Sequence, residues 1–262
     1  MNMVIKTEKL RVLLMGATSK IALNFIKEYL EKNYSKNYEL ILGVRNKEKL
    51  KELLNEKKIK DGLKVRNINL GNLDTLKIAM QEIDVVLNLA ANASPKASFQ
   101  ELLEPNLIGT FNILESSRLA GVKKVIMASS IHAVKGHEEK VIKEDYAPRP
   151  LTVYGATKAF VEALCHVYSQ NYNMNCIVIR IGAYTSKEET REVCLNRKEY
   201  DYVISQRDMN QLIHKAIITN IKDKFVVLHG SSNNKIKRLD LEETKRLVDY
   251  EPEDDFYSIC KK

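Results

Sequence analysis

The chain has 262 residues, which suits one large domain or a domain with a small lobe, and 44% of them are hydrophobic, enough for a sizeable core. Its formal charge of +8 is carried by scattered lysines. The sequence has no basic stripe interleaved with aromatic residues, the pattern that would indicate a nucleic-acid-binding surface. No apolar run could span a membrane and no signal peptide is recognised, so we expect a cytoplasmic protein with no nucleic-acid or membrane partner.

The four cysteines lie far apart and have neither the C-x-x-C spacing of a redox motif nor the spacing of a metal site: Cys165, Cys176, Cys194 and Cys260. In a cytosolic protein such cysteines are expected to be reduced. We therefore predict four free thiols and no bound metal.

The predicted elements begin with a strand over 10–15, a glycine turn over 16–22 and a helix with an apolar period through residue 30. Further strands are predicted over 39–44, 63–69, 84–89, 124–128 and 176–181, alternating with helices over 47–56, 73–80, 99–120 and 154–172. This alternation predicts an α/β fold with a Rossmann-type, doubly wound parallel sheet. Right-handed crossovers then bring the loops at the carboxyl ends of the strands to one edge, where ligands bind.

Beyond residue 182 the pattern loosens. A polar, irregular segment over 184–202 precedes helices over 208–219 and 240–248 and a strand over 225–228. We predict a dinucleotide-binding domain over 1–183 and a small substrate-binding lobe over 184–262 packed on it.

The turn over 16–22 (GATSKIA) has the strand–turn–helix context of a dinucleotide-binding fingerprint. Free amides and the helix dipole at such a helix N-terminus favour a pyrophosphate. Ser19 and Ala22 stand where the second and third glycines are usual, so the motif is degraded. An ordinary tight βα turn is the alternative.

Tyr154 and Lys158 open the helix over 154–172, four residues apart and therefore on one face. A phenol has a pKa of about 10. A neighbouring ammonium is expected to lower that pKa, so that the tyrosine can take a proton from a substrate hydroxyl. An amphipathic helix that carries both residues by chance is the structural alternative.

Six motifs, in order along nearly the whole chain, resemble the extended short-chain dehydrogenase/reductase family, also described as NAD-dependent epimerases and dehydratases: GAT at 16–18, LAA at 89–91, NLIGT at 106–110, ASS at 128–130, YGATK at 154–158 and RIG at 180–182. The resemblance implies that Tyr154 is the general acid/base and that Lys158 lowers its pKa and binds the nicotinamide ribose. It also implies that Ser130, rather than Ser129, orients the reacting hydroxyl or carbonyl. Asn106 resembles a helix asparagine with a structural or proton-relay role.

The predicted cofactor-binding residues are Gly16, Thr18, Ser19, Lys20, Ile21, Arg45, Asn69, Leu70, Leu89, Ala90, Ala91, Asn106 and Lys158. No acidic residue ends the second strand, where one would bond the ribose hydroxyls of NAD, whereas an arginine there accommodates a 2′-phosphate. Arg45 and Lys20 therefore predict NADP, with NAD the less favoured cofactor. The exposed start of a basic helix is the alternative reading of Arg45.

Within this family the chain is similar to the short members that include uronate dehydrogenases. It shares the RPxxxYGxxK run at 149–158, the SSxH segment at 129–132 and an arginine after RIG. The similarity implies a small, anionic sugar, a uronate or a sugar phosphate, bound by Ser94, Ser130, His132 and Arg191. Ile131 replaces a usual asparagine and the segment 233–237 lacks a tryptophan pair, so the exact substrate stays open. A loop histidine and a solvated arginine are the structural alternatives for His132 and Arg191.

The sequence thus predicts an NAD(P)-dependent oxidoreductase that transfers hydride to or from such a sugar with acid–base catalysis. A nucleotide-sugar epimerase or dehydratase is one alternative, although the short segment after the sixth strand leaves little chain to enclose a nucleotide diphosphate. A non-catalytic, NADP-sensing regulatory protein is another, but it would not need the acid/base set. By analogy, the helices after the fourth and fifth strands could pair in a homodimer.

Overall fold

The computed structural model describes residues 9–60, 62–196 and 200–261. The strands of these residues are β1 (Leu10–Met15), β2 (Tyr38–Val44), β3 (Lys64–Asn67), β4 (Val85–Asn88), β5 (Lys124–Ser130), β6 (Asn175–Ile181), β7 (Ala183–Thr185), β8 (Val203–Ser205) and β9 (Phe225–Gly230). Seven of them form one parallel sheet in the order β3-β2-β1-β4-β5-β6-β9. The strand order reverses between β1 and β4, which confirms the predicted doubly wound sheet.

The helices are α1 (Lys20–Glu31), α2 (Lys47–Glu56), α3 (Leu73–Ala79), α4 (Phe99–Leu102), α5 (Gly109–Leu119), α6 (Val153–Asn171), α7 (Thr190–Asn196), α8 (Gln206–Ile218), α9 (Glu242–Val248) and α10 (Phe256–Ile259). A π-helical turn over Leu103–Ile108 joins α4 to α5, where the sequence predicts one uninterrupted helix. Pro105 lies in this turn and has no N–H to donate, so the regular helical ladder is broken there.

The sheet is buried on both faces, as the near-continuous apolar runs of its strands require. In β1, Val12 and Leu14 pack on one side in a cluster that includes side chains of α1 and α8. Leu13 and Met15 pack on the other side with side chains of α3, α5 and α6. Two helical layers therefore hold the strand ends in fixed positions at the sheet edge.

The segment after β6 contains more regular structure than its sequence predicts. β7 and β8 form a small parallel pair, and α7 lies between them in the chain. Three-residue strands and a seven-residue helix are too short to produce a clear hydrophobic period. β9 extends the large sheet beside β6, and the division of the chain at residue 183 stays a prediction.

Two of the four cysteines form a disulfide, so the expectation of four free thiols is wrong. Cys194 in α7 is bonded to Cys260, with their Cα atoms 5.0 Å apart, while Cys165 and Cys176 are buried and free. The two bonded residues are 66 positions apart in sequence, and only the packing of α7 near the C-terminal end brings them together. Within the described residues, no helix combines the length and the apolar character that crossing a bilayer requires.

Candidate active site

Two adjoining cavities lie along the edge of the large sheet where the parallel strands end. The outer cavity, of about 470 Å³, is lined by the turns after β1, β2, β3 and β4. The central cavity, of about 690 Å³, is lined by the ends of β5 and β6, by α6 and by the same turns after β1 and β4. Ser19, Leu89 and Ala91 border both cavities. This edge includes the point where the strand order reverses, the usual ligand-binding position in open parallel sheets.

The outer cavity has the features of a pyrophosphate-binding turn. Gly16 has φ +76°, and an added Cβ would lie 2.7 Å from the backbone nitrogen of Ala90, so only glycine lets the turn approach the loop after β4. Ser19 caps α1 by accepting a hydrogen bond from the Ala22 N–H at 3.3 Å. The helix N-terminus and the small residues around it leave room and amide donors for a pyrophosphate.

Most predicted cofactor-binding residues line these two cavities. The outer cavity contains Gly16, Thr18, Ser19, Arg45, Asn69, Leu70, Leu89, Ala90 and Ala91. The central cavity adds Lys20, Ile21 and Lys158. Arg45 lies at the end of β2, and two carboxylates that carry no sequence motif, Glu101 and Glu104, line the same outer cavity.

Ser130, Tyr154 and Lys158 are brought together at the central cavity. Tyr154 and Lys158 are only 6% and 4% exposed, on the first turns of α6. The Lys158 ammonium donates to the Ala128 carbonyl at 3.0 Å and lies 5.7 Å from the centre of the Tyr154 ring. Ser129, the neighbour of Ser130, instead donates to Glu162 at 2.7 Å, so Ser130 is the serine available to Tyr154.

Burial shifts the pKa of both groups on α6. It raises the pKa of Tyr154, and a side-chain hydrogen bond with Ser130 opposes only part of this effect. It lowers the pKa of Lys158 to about 8. The predicted lowering of the Tyr154 pKa by Lys158 is therefore wrong for the free protein, because burial acts most strongly and the ammonium bonds a backbone carbonyl.

His132 packs against Tyr154 at the wall of the central cavity. A 3₁₀ turn over Ile131–Ala133 begins at Ser130, whose Oγ accepts from the His132 N–H at 3.2 Å. The two rings meet edge to face, with their centres 5.5 Å apart. A Cβ on Gly155 would lie 2.4 Å from the His132 carbonyl oxygen, so the glycine of the YGATK motif allows this turn to pack on α6. Burial, and then the charge of Lys135, lower the pKa of His132.

Three of the predicted binding residues, Asn106, Ser94 and Arg191, are not among the residues that line the two cavities. Asn106 is buried and donates to the Asn92 carbonyl at 3.0 Å and to Thr157 Oγ1 at 3.1 Å, which ties the loop after β4 to α6. Ser94 and Arg191 are exposed, and neither is among the residues that line the two cavities. The predicted roles of these residues in binding stay predictions.

The arginine of the RIG motif is structural. Arg180 is 2% exposed and binds Glu162 through two hydrogen bonds, at 2.8 and 3.0 Å. Its remaining donors reach the carbonyls of Glu144 and Tyr146 at 3.2 and 2.9 Å. Because Glu162 lies on α6 and also accepts from Ser129, the pair fixes α6 against β5, β6 and the loop over 143–146.

Several residues of the central cavity carry no sequence motif. Lys135, Tyr184 and Tyr202 line it, and Lys20 forms an ion pair with Glu189 from the segment before α7. Tyr184 comes two residues after RIG and Lys135 three residues after the SSxH histidine, and this proximity is the one signal that could have identified them. The arrangement as a whole can move a proton at a hydroxyl group beside the turn that can bind a pyrophosphate.

Comparison with known families gives one match that covers most of the chain. The model described as "NAD dependent epimerase/dehydratase family" matches residues 12–225. An L-arabinose 1-dehydrogenase (NAD(P)(+)) of Haloferax volcanii is 27% identical over 77% of this chain and 87% of its own length. A uronate dehydrogenase of Pseudomonas syringae pv. tomato is 29% identical over 74% and 68%. An NAD-dependent glucose-6-phosphate dehydrogenase of H. volcanii is 24% identical over 78% and 82%.

Solved structures share the fold. A mutant uronate dehydrogenase from Agrobacterium tumefaciens complexed with NAD has a TM-score of 0.76 and 20% identity, covering 97% of this chain and 88% of that one. A UDP-glucuronic acid 4-epimerase from Bacillus cereus complexed with NAD has a TM-score of 0.74 and 19% identity, covering 96% and 99%. At these identities the similarity supports the fold and leaves the substrate open.

Proposed function

Because the chain belongs to the NAD-dependent epimerase/dehydratase family, we propose that it oxidises a hydroxyl group of a small anionic sugar, a uronate or a sugar phosphate, or reduces the corresponding carbonyl. The observation that carries this proposal is the convergence of Ser130, Tyr154 and Lys158 at a cavity that adjoins the glycine turn after β1 and the N-terminus of α1. The names of the relatives confirm the predicted enzyme class, an NAD(P)-dependent dehydrogenase of the extended short-chain type.

Each group has a separate role in the proposed reaction. A bound nicotinamide dinucleotide supplies the hydride acceptor or donor. In oxidation, the Tyr154 oxygen takes the proton of the substrate hydroxyl, and Ser130 Oγ hydrogen-bonds the same substrate oxygen to hold it in place. The Lys158 ammonium stabilises the negative charge that Tyr154 must carry before it accepts the proton.

The charge of the central cavity supports an anionic substrate. Its described lining residues include lysines and a histidine but no aspartate or glutamate. Two of the relatives are named for anionic substrates, a uronate and glucose 6-phosphate, and one is named for a neutral sugar, L-arabinose. The central cavity, of about 690 Å³, lies in the usual size range of small-molecule sites.

An epimerase is the second candidate, because the fold is also similar to that of the UDP-glucuronic acid 4-epimerase. Epimerisation returns the cofactor to its starting state, whereas the proposed reaction accumulates reduced cofactor when a sugar is oxidised. Net formation of reduced cofactor therefore separates the two activities, and turnover itself excludes a purely sensing role.

We propose NADP as the preferred cofactor, because Arg45 directly follows β2 at the outer cavity, where a guanidinium can pair with a 2′-phosphate.

We also propose a homodimer. Exposed apolar side chains lie at helical spacing on neighbouring helices: Ile108, Phe111 and Leu119 on and just before α5, and Val153, Phe160 and Val167 on α6.

The test is a cofactor-coupled absorbance assay with D-glucuronate, glucose 6-phosphate and L-arabinose. Tyr154→Phe should lower turnover by about 10²–10⁴-fold, because it removes the group that accepts the proton. Binding of the dinucleotide should be unchanged. Tyr172→Phe, at the exposed far end of α6, is the control and should keep native activity. Near-native turnover by Tyr154→Phe would show that another group transfers the proton.

A further inference from the structure

We infer that Lys135 binds the anionic group of the substrate and sets the preference for charged over neutral sugars, an inference that rests on the proposed function. The starting observation is the set of cations around the central cavity. Lys20, Lys135 and Lys158 line it, and no described lining residue is acidic. The charged side chains among these lining residues are therefore all lysines, and an anionic ligand needs a lysine that is not already engaged.

Two of the three lysines are already engaged. Lys20 forms an ion pair with Glu189, so its charge is matched by a carboxylate. Lys158 is buried, and its ammonium donates to the Ala128 carbonyl beside Tyr154. Its place in the acid/base set leaves it at the reacting oxygen rather than at a distant carboxylate or phosphate.

Lys135 has no such partner. Its side chain is exposed at the cavity wall, and it forms no ion pair with any residue that the structure describes. The ammonium lies 5.6 Å from the centre of the Tyr202 ring, a cation–π distance that holds it on the cavity side. A lysine ammonium is a compact charge with three donors, which suits a carboxylate or a phosphate.

The backbone of Lys135 adjoins the turn that packs against α6. Lys135 follows the 3₁₀ turn that Ser130 caps and that packs against Gly155 of α6. Its charge reaches the interior of the cavity, since it contributes to the lowered pKa of His132. The lowered pKa of His132 favours its neutral form, which can act as a hydrogen-bonding group, while Lys135 provides the positive charge.

The kinetic test compares Lys135→Met with Lys135→Arg, Arg191→Met and the control Lys140→Met, an exposed lysine of the same loop. Removing a hydrogen bond to a charged group should raise KM for D-glucuronate or glucose 6-phosphate by roughly 10–100-fold. The value of kcat, and KM for L-arabinose, should change little, and Lys135→Arg should restore most of the loss. A rise in KM confined to D-glucuronate would identify the carboxylate as the group that is bound, and one confined to glucose 6-phosphate would identify the phosphate.

Three outcomes overturn the inference: equal losses on charged and neutral sugars, no loss in Lys135→Met, or a selective loss in Arg191→Met alone. If the native protein turns over L-arabinose but neither anionic sugar, the anionic substrate in the proposed function fails as well. If it oxidises an anionic sugar with full activity in Lys135→Met, only the inference about Lys135 fails.

A second measurement does not depend on turnover. The His132 ring can be followed by NMR, with its signal assigned by its loss in His132→Gln. Lys135→Met should raise the pKa of His132, because a neighbouring positive charge is removed. Adding D-glucuronate or glucose 6-phosphate should raise the same pKa in the native protein and have little effect in Lys135→Met. An equal response in both proteins would place the anion elsewhere.

Discussion

At the scale of single residues, burial controls the protonation of the candidate catalytic groups. Lys158 is almost fully buried, and its pKa falls to about 8 from the ordinary value of 10.5. Between these two pH values the unfolded chain binds more protons than the folded protein. The free energy of unfolding therefore rises with pH across this window and loses that contribution as pH falls towards 8.

This gives a prediction for stability. In urea unfolding, the native protein should gain about 2 kcal/mol relative to Lys158→Met between about pH 8 and about pH 9.5. Lys124 is half-buried and also has a pKa of about 8, but it is present in both proteins, so its contribution cancels in the comparison. Parallel pH profiles for the two proteins would show that Lys158 is charged in the folded state throughout the window.

Cofactor choice also depends on one side chain. Arg45→Met should weaken NADP binding by roughly 10–100-fold, because a charge-assisted hydrogen bond to the 2′-phosphate is lost, and should leave NAD binding nearly unchanged. Lys47→Met, an exposed neighbour on α2, is the control for a general loss of positive charge. Calorimetric titration of both oxidised cofactors measures the effect. Native affinity for NAD equal to or above that for NADP would contradict the prediction.

At the scale of elements, the position of α6 depends on a buried ion pair. Glu162 on α6 accepts from Arg180 on β6 and from Ser129 on β5. Glu162→Gln should lower the free energy of unfolding by about 3–5 kcal/mol, because Arg180 keeps a buried charge without its partner. Glu243→Gln breaks the exposed pair with Arg246 and should cost less than about 1 kcal/mol. Similar costs for the two substitutions would mean that water reaches Arg180.

Elements with local signals are the part of the fold that the sequence predicts well. The strand over 10–15 and the helix over 47–56 agree with β1 and α2, since each carries its own hydrophobic period. Ser130, Tyr154 and Lys158, the proposed catalytic residues, are predicted because they lie in short motifs at the end of β5 and at the start of α6. Other features have no hydrophobic period of their own and could not be predicted in this way. The Cys194–Cys260 disulfide and the Lys20–Glu189 ion pair depend on contacts between distant segments, and the π-helical turn depends on a single proline.

At the scale of the whole molecule, the predicted fold and the predicted family are both confirmed. The predicted sheet is found, and the family model spans it from β1 to the start of β9. The cytoplasmic location stays a prediction. The prediction rested partly on the expectation of reduced cysteines, and the Cys194–Cys260 disulfide contradicts that expectation.

The final prediction concerns assembly. Val153, Phe160 and Val167 recur every seven residues along α6 and are exposed, as are Phe111 and Leu119 on α5. α5 and α6 both pack on the same side of the sheet, so their outward apolar residues can form a joint surface. Two-fold symmetry is the commonest symmetry of homo-oligomers. A second copy related by a two-fold axis would cover this surface with the same residues of its own. We therefore expect a dimer in solution.

Phe111→Glu combined with Phe160→Glu should give a monomer, because two copies would bury four carboxylates in an apolar contact. Sedimentation equilibrium measures the mass, and near-ultraviolet circular dichroism checks that the tertiary fold is kept. Ile236→Glu, an exposed isoleucine before α9, is the matched control and should remain dimeric. A native monomer, or a double variant that still dimerises, would show that these helices do not form the subunit contact.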